Sequence, residues 1–127
     1  MISVDKVLIV DDDSTAHFLM TRIIKSTIAN RQILYANNGQ EALTILHEHC
    51  FIERCPTLIL LDINMPVMDG FEFLNAIQDT PLAKLPLHIV VLTSSVNPVD
   101  VRKALRFPIV GYMEKPLTVE KLILAIE

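Results

Sequence analysis

The chain has 127 residues, 51% of them hydrophobic and 20% charged, enough apolar material for one cored domain and too much for a disordered segment. Its net charge is −4 with no long basic block, so nucleic acid is not an expected direct partner. The apolar runs are too short to span a bilayer, and no basic stretch followed by an apolar one opens the chain, so neither membrane insertion nor a signal peptide is expected.

In chain order, Val7 to Val10 is a continuous apolar run of strand type. Asp13 or Ser14 then reads as a helix N-cap, and Ala16, Met20, Ile23 and Ile24 share a face at helical spacing. Gln32 to Ala36 is a second strand, Asn37-Asn38-Gly39 is turn chemistry, and Ala42, Leu43, Leu46 and Cys50 recur as a helical stripe. Leu58 to Leu61 is a third strand after the break at Pro56. Phe71, Leu74 and Ile77 mark a third helix, with Asp69-Gly70 as its turn and start. Pro81 and Pro86 bracket a loop before a fourth strand, Leu87 to Leu92. A short helix over Val99 to Leu105, a fifth strand over Ile109 to Met113, and a last helix capped by Thr118 and carrying Leu122 and Ile126 complete the pattern. Strands alternating with helices five times predict an α/β domain with a parallel sheet covered on both faces.

Cys50 and Cys55 are too few for a disulfide framework and read as reduced thiols of a cytoplasmic protein. His47, His49, Cys50 and Cys55 lie close enough in sequence for zinc to be weighed. His47 and Cys50 would share a helix face but His49 would not, and no paired C-x-x-C or H-x-x-x-H accompanies them, so an ordinary helix end is expected. His17 and His88 are isolated and read as surface or satisfied histidines. Arg102, Lys103 and Arg106 read as a solvated face or a docking surface.

Ligands of an open parallel sheet sit at the C-terminal ends of its strands. The first strand ends in Asp11-Asp12-Asp13, the third in Asp62, the fourth in Thr93-Ser94-Ser95, and the fifth runs into Lys115-Pro116. Asp11, Asp12 and Asp62 would repel one another if their strands are neighbours, and a hard divalent cation resolves that. An all-oxygen set with few carboxylates suits Mg²⁺, with a backbone carbonyl just after Asp62 to complete it. Lys115 and Thr93 suit the oxygens of a phosphoryl group, toward which a carboxylate can act as nucleophile. Asp62, followed by a loop bounded by Pro66 and Gly70, is the candidate.

Five segments together carry a family resemblance: Val7 to Asp13, Asn38 to Leu43, Leu61 to Gly70, Leu92 to Ser94, and Gly111 to Leu117. In this order and spacing they resemble the receiver domain of response regulators in two-component signalling, of the chemotaxis-regulator kind. The resemblance implies a three-layer α/β/α, flavodoxin-like fold with strand order 2-1-3-4-5, a receiver over residues 1–127 and no output domain in this chain. It implies that Asp62 is the phosphoacceptor, and that Asp11, Asp12, Asp62 and the main-chain carbonyl of Asn64 hold Mg²⁺, with Mn²⁺ as a substitute. Thr93 and Lys115 would hold the phosphoryl oxygens, Thr93 and Tyr112 would form the switch, and the Lys115-Pro116 bond would be cis. The donor would be a sensor histidine kinase or a histidine phosphotransfer protein. The output would go to a downstream protein or to an output domain absent from the chain, through the surface of the fourth helix, fifth strand and fifth helix. Such a protein is a switch that catalyses only its own phosphotransfer and dephosphorylation. Phe107-Pro108 departs from the Ala-Gly of many relatives, a difference that bears on the output surface rather than the chemistry.

Three other readings compete. Aspartate-nucleophile phosphatases use Mg²⁺, a hydroxyl residue and a lysine, and Asp11 and Asp13 have their nucleophile-and-acid spacing, but no cap or late acidic pair is visible. A flavin binder of the same layer class would need a Ser/Thr/Gly phosphate loop where three aspartates stand. An adaptor independent of phosphorylation would not need the whole acidic set.

Overall fold

The structure, a computed structural model, describes residues 4–52, 55, 56 and 58–127. The elements are β1 (Lys6–Val10), α1 (Ser14–Thr27), β2 (Gln32–Ala36), α2 (Gly39–Ile52), β3 (Leu58–Leu61), α3 (Gly70–Gln78), β4 (His88–Thr93), α4 (Pro98–Ala104), β5 (Gly111–Glu114) and α5 (Val119–Ile126). The five strands form one parallel sheet in the order β2-β1-β3-β4-β5.

Alternation along β1 explains the two cores. Val7 and Ile9 point to one face and join Met20 and Ile24 of α1 and Leu122, Ala125 and Ile126 of α5. Leu8 and Val10 point to the other and join Ala42 and Leu46 of α2, Phe73, Leu74 and Ile77 of α3 and Ala104 of α4. All five β1 residues are buried, as expected of a strand covered on both sides. Among the described residues Phe73 is the largest fully buried side chain, and its truncation to Ala would cost about 3–5 kcal/mol.

The helix starts are set by local chemistry. Asp13 caps α1, accepting from Thr15 N at 2.9 Å. Asp69 and Glu72 form a reciprocal capping box at the start of α3. Asn97 caps α4 and Thr118 caps α5.

Several boundaries differ from the sequence reading. The loop between Pro81 and Pro86 contains a 3-10 turn, Pro81–Lys84, capped by Thr80. β4 starts and ends one residue later than predicted, because Leu87 N–H is taken by Leu85 O within the loop. β5 starts two residues later: Pro108 follows Phe107, Ile109 N–H bonds back to Phe107 O, and pairing is resumed only by Val110 N–H to Ile89 O. α4 opens on Pro98, whose fixed φ suits the first helical turn.

The reduced-thiol expectation is corrected. Cys50 and Cys55 form a disulfide, their Cα atoms 4.1 Å apart, joining the last turn of α2 to the approach to β3. Neither sulfur is left for a metal. His88 is satisfied by the Ala125 carbonyl at 2.7 Å. Lys103 is exposed but lies over the Phe71 ring, 4.4 Å from its centroid, so that part of the basic face is packed.

Candidate functional site

The sheet register builds the site. Val10 pairs with Leu61, Leu61 with Val91, and Thr93 with Glu114. One step beyond the last β1–β3 pair stand Asp11 and Asp62. Asp62 N–H donates to Val10 O at 2.9 Å, and Asp11 N–H donates to Ala36 O at 3.0 Å. Lys115 N–H donates to Thr93 O at 2.8 Å, bringing the lysine alongside the threonine. The peptide joining Lys115 to Pro116 is cis.

Asp11 is 0% exposed, Asp62 7% and Thr93 0%, whereas Asp12 and Asn64 face solvent. Asp11, Asp12 and Asp62 each offer a carboxylate oxygen, and these oxygens lie within 4.8 Å of one another. Lys115 Nζ bridges the two buried ones, 2.6 Å from Asp11 Oδ2 and 2.9 Å from Asp62 Oδ2. The other oxygens are held by backbone: Asp13 N–H donates to Asp11 Oδ1 at 2.9 Å, and Ile63 N–H to Asp62 Oδ1 at 2.7 Å. Burial works to lower the Lys115 pKa, but hydrogen bonds and charge from Asp11 and Asp62 outweigh it and hold it above its ordinary value.

This donor set fits a divalent cation. Three carboxylates face one ammonium, so negative charge is in excess. Asp11 Oδ2 is fully buried and pairs with Lys115 Nζ at 2.6 Å. All-oxygen ligands with room for water are those Mg²⁺ prefers.

The loop after Asp62 is closed by contacts that sequence reading missed. Gly39 N–H donates to Met68 O and Gly70 N–H to Ile63 O, each at 2.8 Å. A Cβ on Gly39 would meet Met68 Cγ at 2.8 Å and Phe73 Cβ at 2.9 Å. Val67, 81% exposed, has φ 68°, a left-handed conformation unfavourable for a β-branched residue. Asn38-Gly39 was legible as a turn and Asp69-Gly70 as a helix start, but neither pair carries a signal that it clamps this loop.

Around the site, His17 Nε2 lies 2.6 Å from Asp11 O and its ring 5.2 Å from that of Tyr35. Behind Thr93, Ser95 N–H donates to Thr93 Oγ1 at 3.3 Å and Tyr112 OH donates to Ser95 O at 2.6 Å. Burial raises the Tyr112 phenol above its ordinary pKa; the bond to Ser95 opposes this, and the charges of Asp100 and Asp62 add to it.

A family model described as the response regulator receiver domain matches residues 7–127. The chain is 34% identical over 122 residues to a probable chemotaxis protein CheY of Rhizobium etli, covering 96% of this chain and 89% of that one. It superposes on a two-component response regulator from Cytophaga hutchinsonii with TM-score 0.88 at 32% identity, covering 98% of this chain and 95% of that one. It also superposes on the phosphorylated cyanobacterial phytochrome response regulator RcpA with TM-score 0.78 at 27% identity, covering 98% and 89%. Sheet order, strand-end carboxylates and these likenesses agree: the chain belongs to the response regulator receiver domain family.

Proposed function

We propose that Asp62 accepts a phosphoryl group from a phosphohistidine on a sensor kinase or phosphotransfer protein, and that the modified domain switches the surface of α4, β5 and α5 to control a partner. The observation that carries this reading is the convergence of Asp11, Asp12 and Asp62 within 4.8 Å with Lys115 Nζ bridging two of them.

An Asp62 carboxylate oxygen forms a bond to phosphorus while the bond from phosphorus to the donor imidazole nitrogen breaks, its electron pair leaving with the imidazole. Lys115 is close enough to Asp62 to hold an oxygen of the transferred group, and the buried Thr93 hydroxyl is the donor for another. Asp11, Asp12, Asp62 and the Asn64 carbonyl are the ligands we assign to Mg²⁺ or Mn²⁺. Bound there, the ion supplies neutralisation of charge on the phosphoryl oxygens. Water hydrolyses the acyl phosphate and restores the carboxylate.

An open groove of about 960 Å³ lies beside the site, lined by Asp13 and Lys115 and by Ala16, Leu19, Met20 and Ile23 of α1. On the output side, Val99 and Leu105 at the two ends of α4 and Leu124 of α5 are exposed apolar side chains available to a partner. Among the described residues no helix is long and apolar enough to cross a membrane. The phosphatase reading loses ground because Asp11, its nucleophile, is fully buried and doubly held.

The test is Mg²⁺-dependent labelling with acetyl phosphate or phosphoramidate. Wild type incorporates phosphate and Asp62→Asn does not; undiminished incorporation in Asp62→Asn would overturn the assignment.

A further inference from the structure

We propose that His17 is a positioning residue for the divalent cation: its imidazole N–H pins the Asp11–Asp12 peptide and so aims the Asp12 carboxylate at those of Asp11 and Asp62. This rests on the reading of the three aspartates as metal ligands.

The partner of His17 fixes where its proton sits. A carbonyl oxygen only accepts, so Nε2, 2.6 Å from Asp11 O, carries the hydrogen and donates it. Two further contacts hold the ring for this bond. It lies 5.2 Å from the Tyr35 ring at a tilt of 34°, and Tyr35 OH is hydrogen-bonded to Thr21 Oγ1 at 2.7 Å. Tyr35 stands on β2, where it pairs with Ile9 of β1, and Thr21 stands on α1, which buries Met20 and Ile24. The half-buried imidazole is thus braced between the edge strand and the first helix.

Asp12 depends on such a brace more than its two neighbours do. Asp11 and Asp62 are buried, and each carboxylate is held by Lys115 and by a backbone N–H. Asp12 faces solvent, so the direction of its side chain is set by the two peptides that flank its Cα. Each peptide is planar, and pinning both fixes the φ and ψ between them. The Asp12–Asp13 peptide is pinned at its nitrogen, where Asp13 N–H donates to Asp11 Oδ1 at 2.9 Å. The Asp11–Asp12 peptide is pinned at its oxygen by His17. Without the imidazole N–H that second plane can turn. A cation would then have to order Asp12 as it binds, and its affinity falls.

The test is the Mg²⁺ dissociation constant of the folded protein, measured by titration calorimetry. His17→Phe keeps a flat ring beside Tyr35 but has no N–H, and it weakens Mg²⁺ binding by about tenfold, the lower end of the loss when a group that orients metal ligands is removed. His17→Gln carries an amide N–H as many bonds from the backbone as Nε2, and it stays within about twofold of wild type. A merely structural His17 would lower the unfolding free energy of both variants and leave the Mg²⁺ affinity of the folded protein unchanged. A second readout needs no metal: ¹⁵N NMR of the metal-free wild type finds the proton of the neutral ring on Nε2. Wild-type affinity in His17→Phe, a loss in His17→Gln as large as in His17→Phe, or a proton on Nδ1 overturns the positioning role and leaves the cation site standing. Wild type that binds no Mg²⁺ overturns the metal-ligand reading itself, and the proposal with it.

Discussion

Gly70 lies directly against the backbone of Asp62. A Cβ added to Gly70 would come within 2.5 Å of the Asp62 carbonyl oxygen and 2.9 Å of Ile63 Cα, both main-chain atoms that cannot rotate aside. The glycine is therefore required by contact rather than by an unusual φ. Gly70→Ala should push the Asp62–Ile63 segment away from α3, costing about 1–3 kcal/mol in urea unfolding. If Asp62 is the phosphoacceptor proposed above, the variant should also slow phosphate incorporation from acetyl phosphate by about tenfold to a hundredfold, since that carboxylate is displaced. Wild-type stability and labelling in this variant would show that the close approach constrains nothing.

The excess of carboxylate over ammonium predicts a stability that depends on divalent cation. Mg²⁺ at ten times its dissociation constant should stabilise the folded state by about 1.4 kcal/mol. Asp12 is the exposed member of the trio and has no packing role, so Asp12→Asn should fold normally and lose that gain. In Mg²⁺-free buffer the same variant should be at least as stable as wild type, because a repelling charge has been removed. Thermal unfolding with and without Mg²⁺ reads both, and an Mg²⁺ response that survives Asp12→Asn would remove Asp12 from the ligand set.

The parts of this site legible in the sequence are those fixed by strand ends. Asp11, Asp62, Thr93 and Lys115 close apolar runs, and a parallel sheet brings such ends to one edge whatever the loops do. The contacts that close the site depend on residues far apart in the chain, and no local pattern reports them. Gly39 binds Met68, Gly70 meets Asp62, His17 meets the Asp11 carbonyl, and Ser95 ties Thr93 to Asp100. The late start of β5 has a local cause, Pro108, that periodicity alone does not weigh. The Cys50–Cys55 pair was misjudged because cysteine counting addresses frameworks, whereas here a helix end and the return to the sheet bring one pair together.

That disulfide predicts a redox-dependent stability. It closes a loop of sequence separation 5, for which chain entropy alone gives about 2 kcal/mol. Protein purified without reductant should show no thiol titre until reduced, and reduction or Cys50→Ser should lower unfolding free energy by about that amount. The disulfide lies at the end of α2, away from the strand-end carboxylates, so the Mg²⁺-dependent gain should survive reduction. A full thiol titre in oxidised buffer would refute the pairing.

Alkaline pH should expose the two groups with raised pKa values. Lys115 lies above its ordinary 10.5, where hydrogen bonds and charge from Asp11 and Asp62 overcome the opposing effect of burial. Tyr112 lies above 10.0, chiefly through burial. In both cases the folded state holds its proton at pH values where the unfolded chain has released it. Each contribution is therefore complete below the unfolded pKa and is lost as pH climbs through the folded one. Urea midpoints should be level between roughly pH 8 and 9.5 and fall above roughly pH 10. Tyr112→Phe should show a shallower fall. Lys115→Met should be less stable at every pH, because it leaves the buried Asp11 carboxylate without its counter-charge, yet its decline above pH 10 should also be shallower. A decline as steep as wild type in both variants would assign the alkaline loss to other groups.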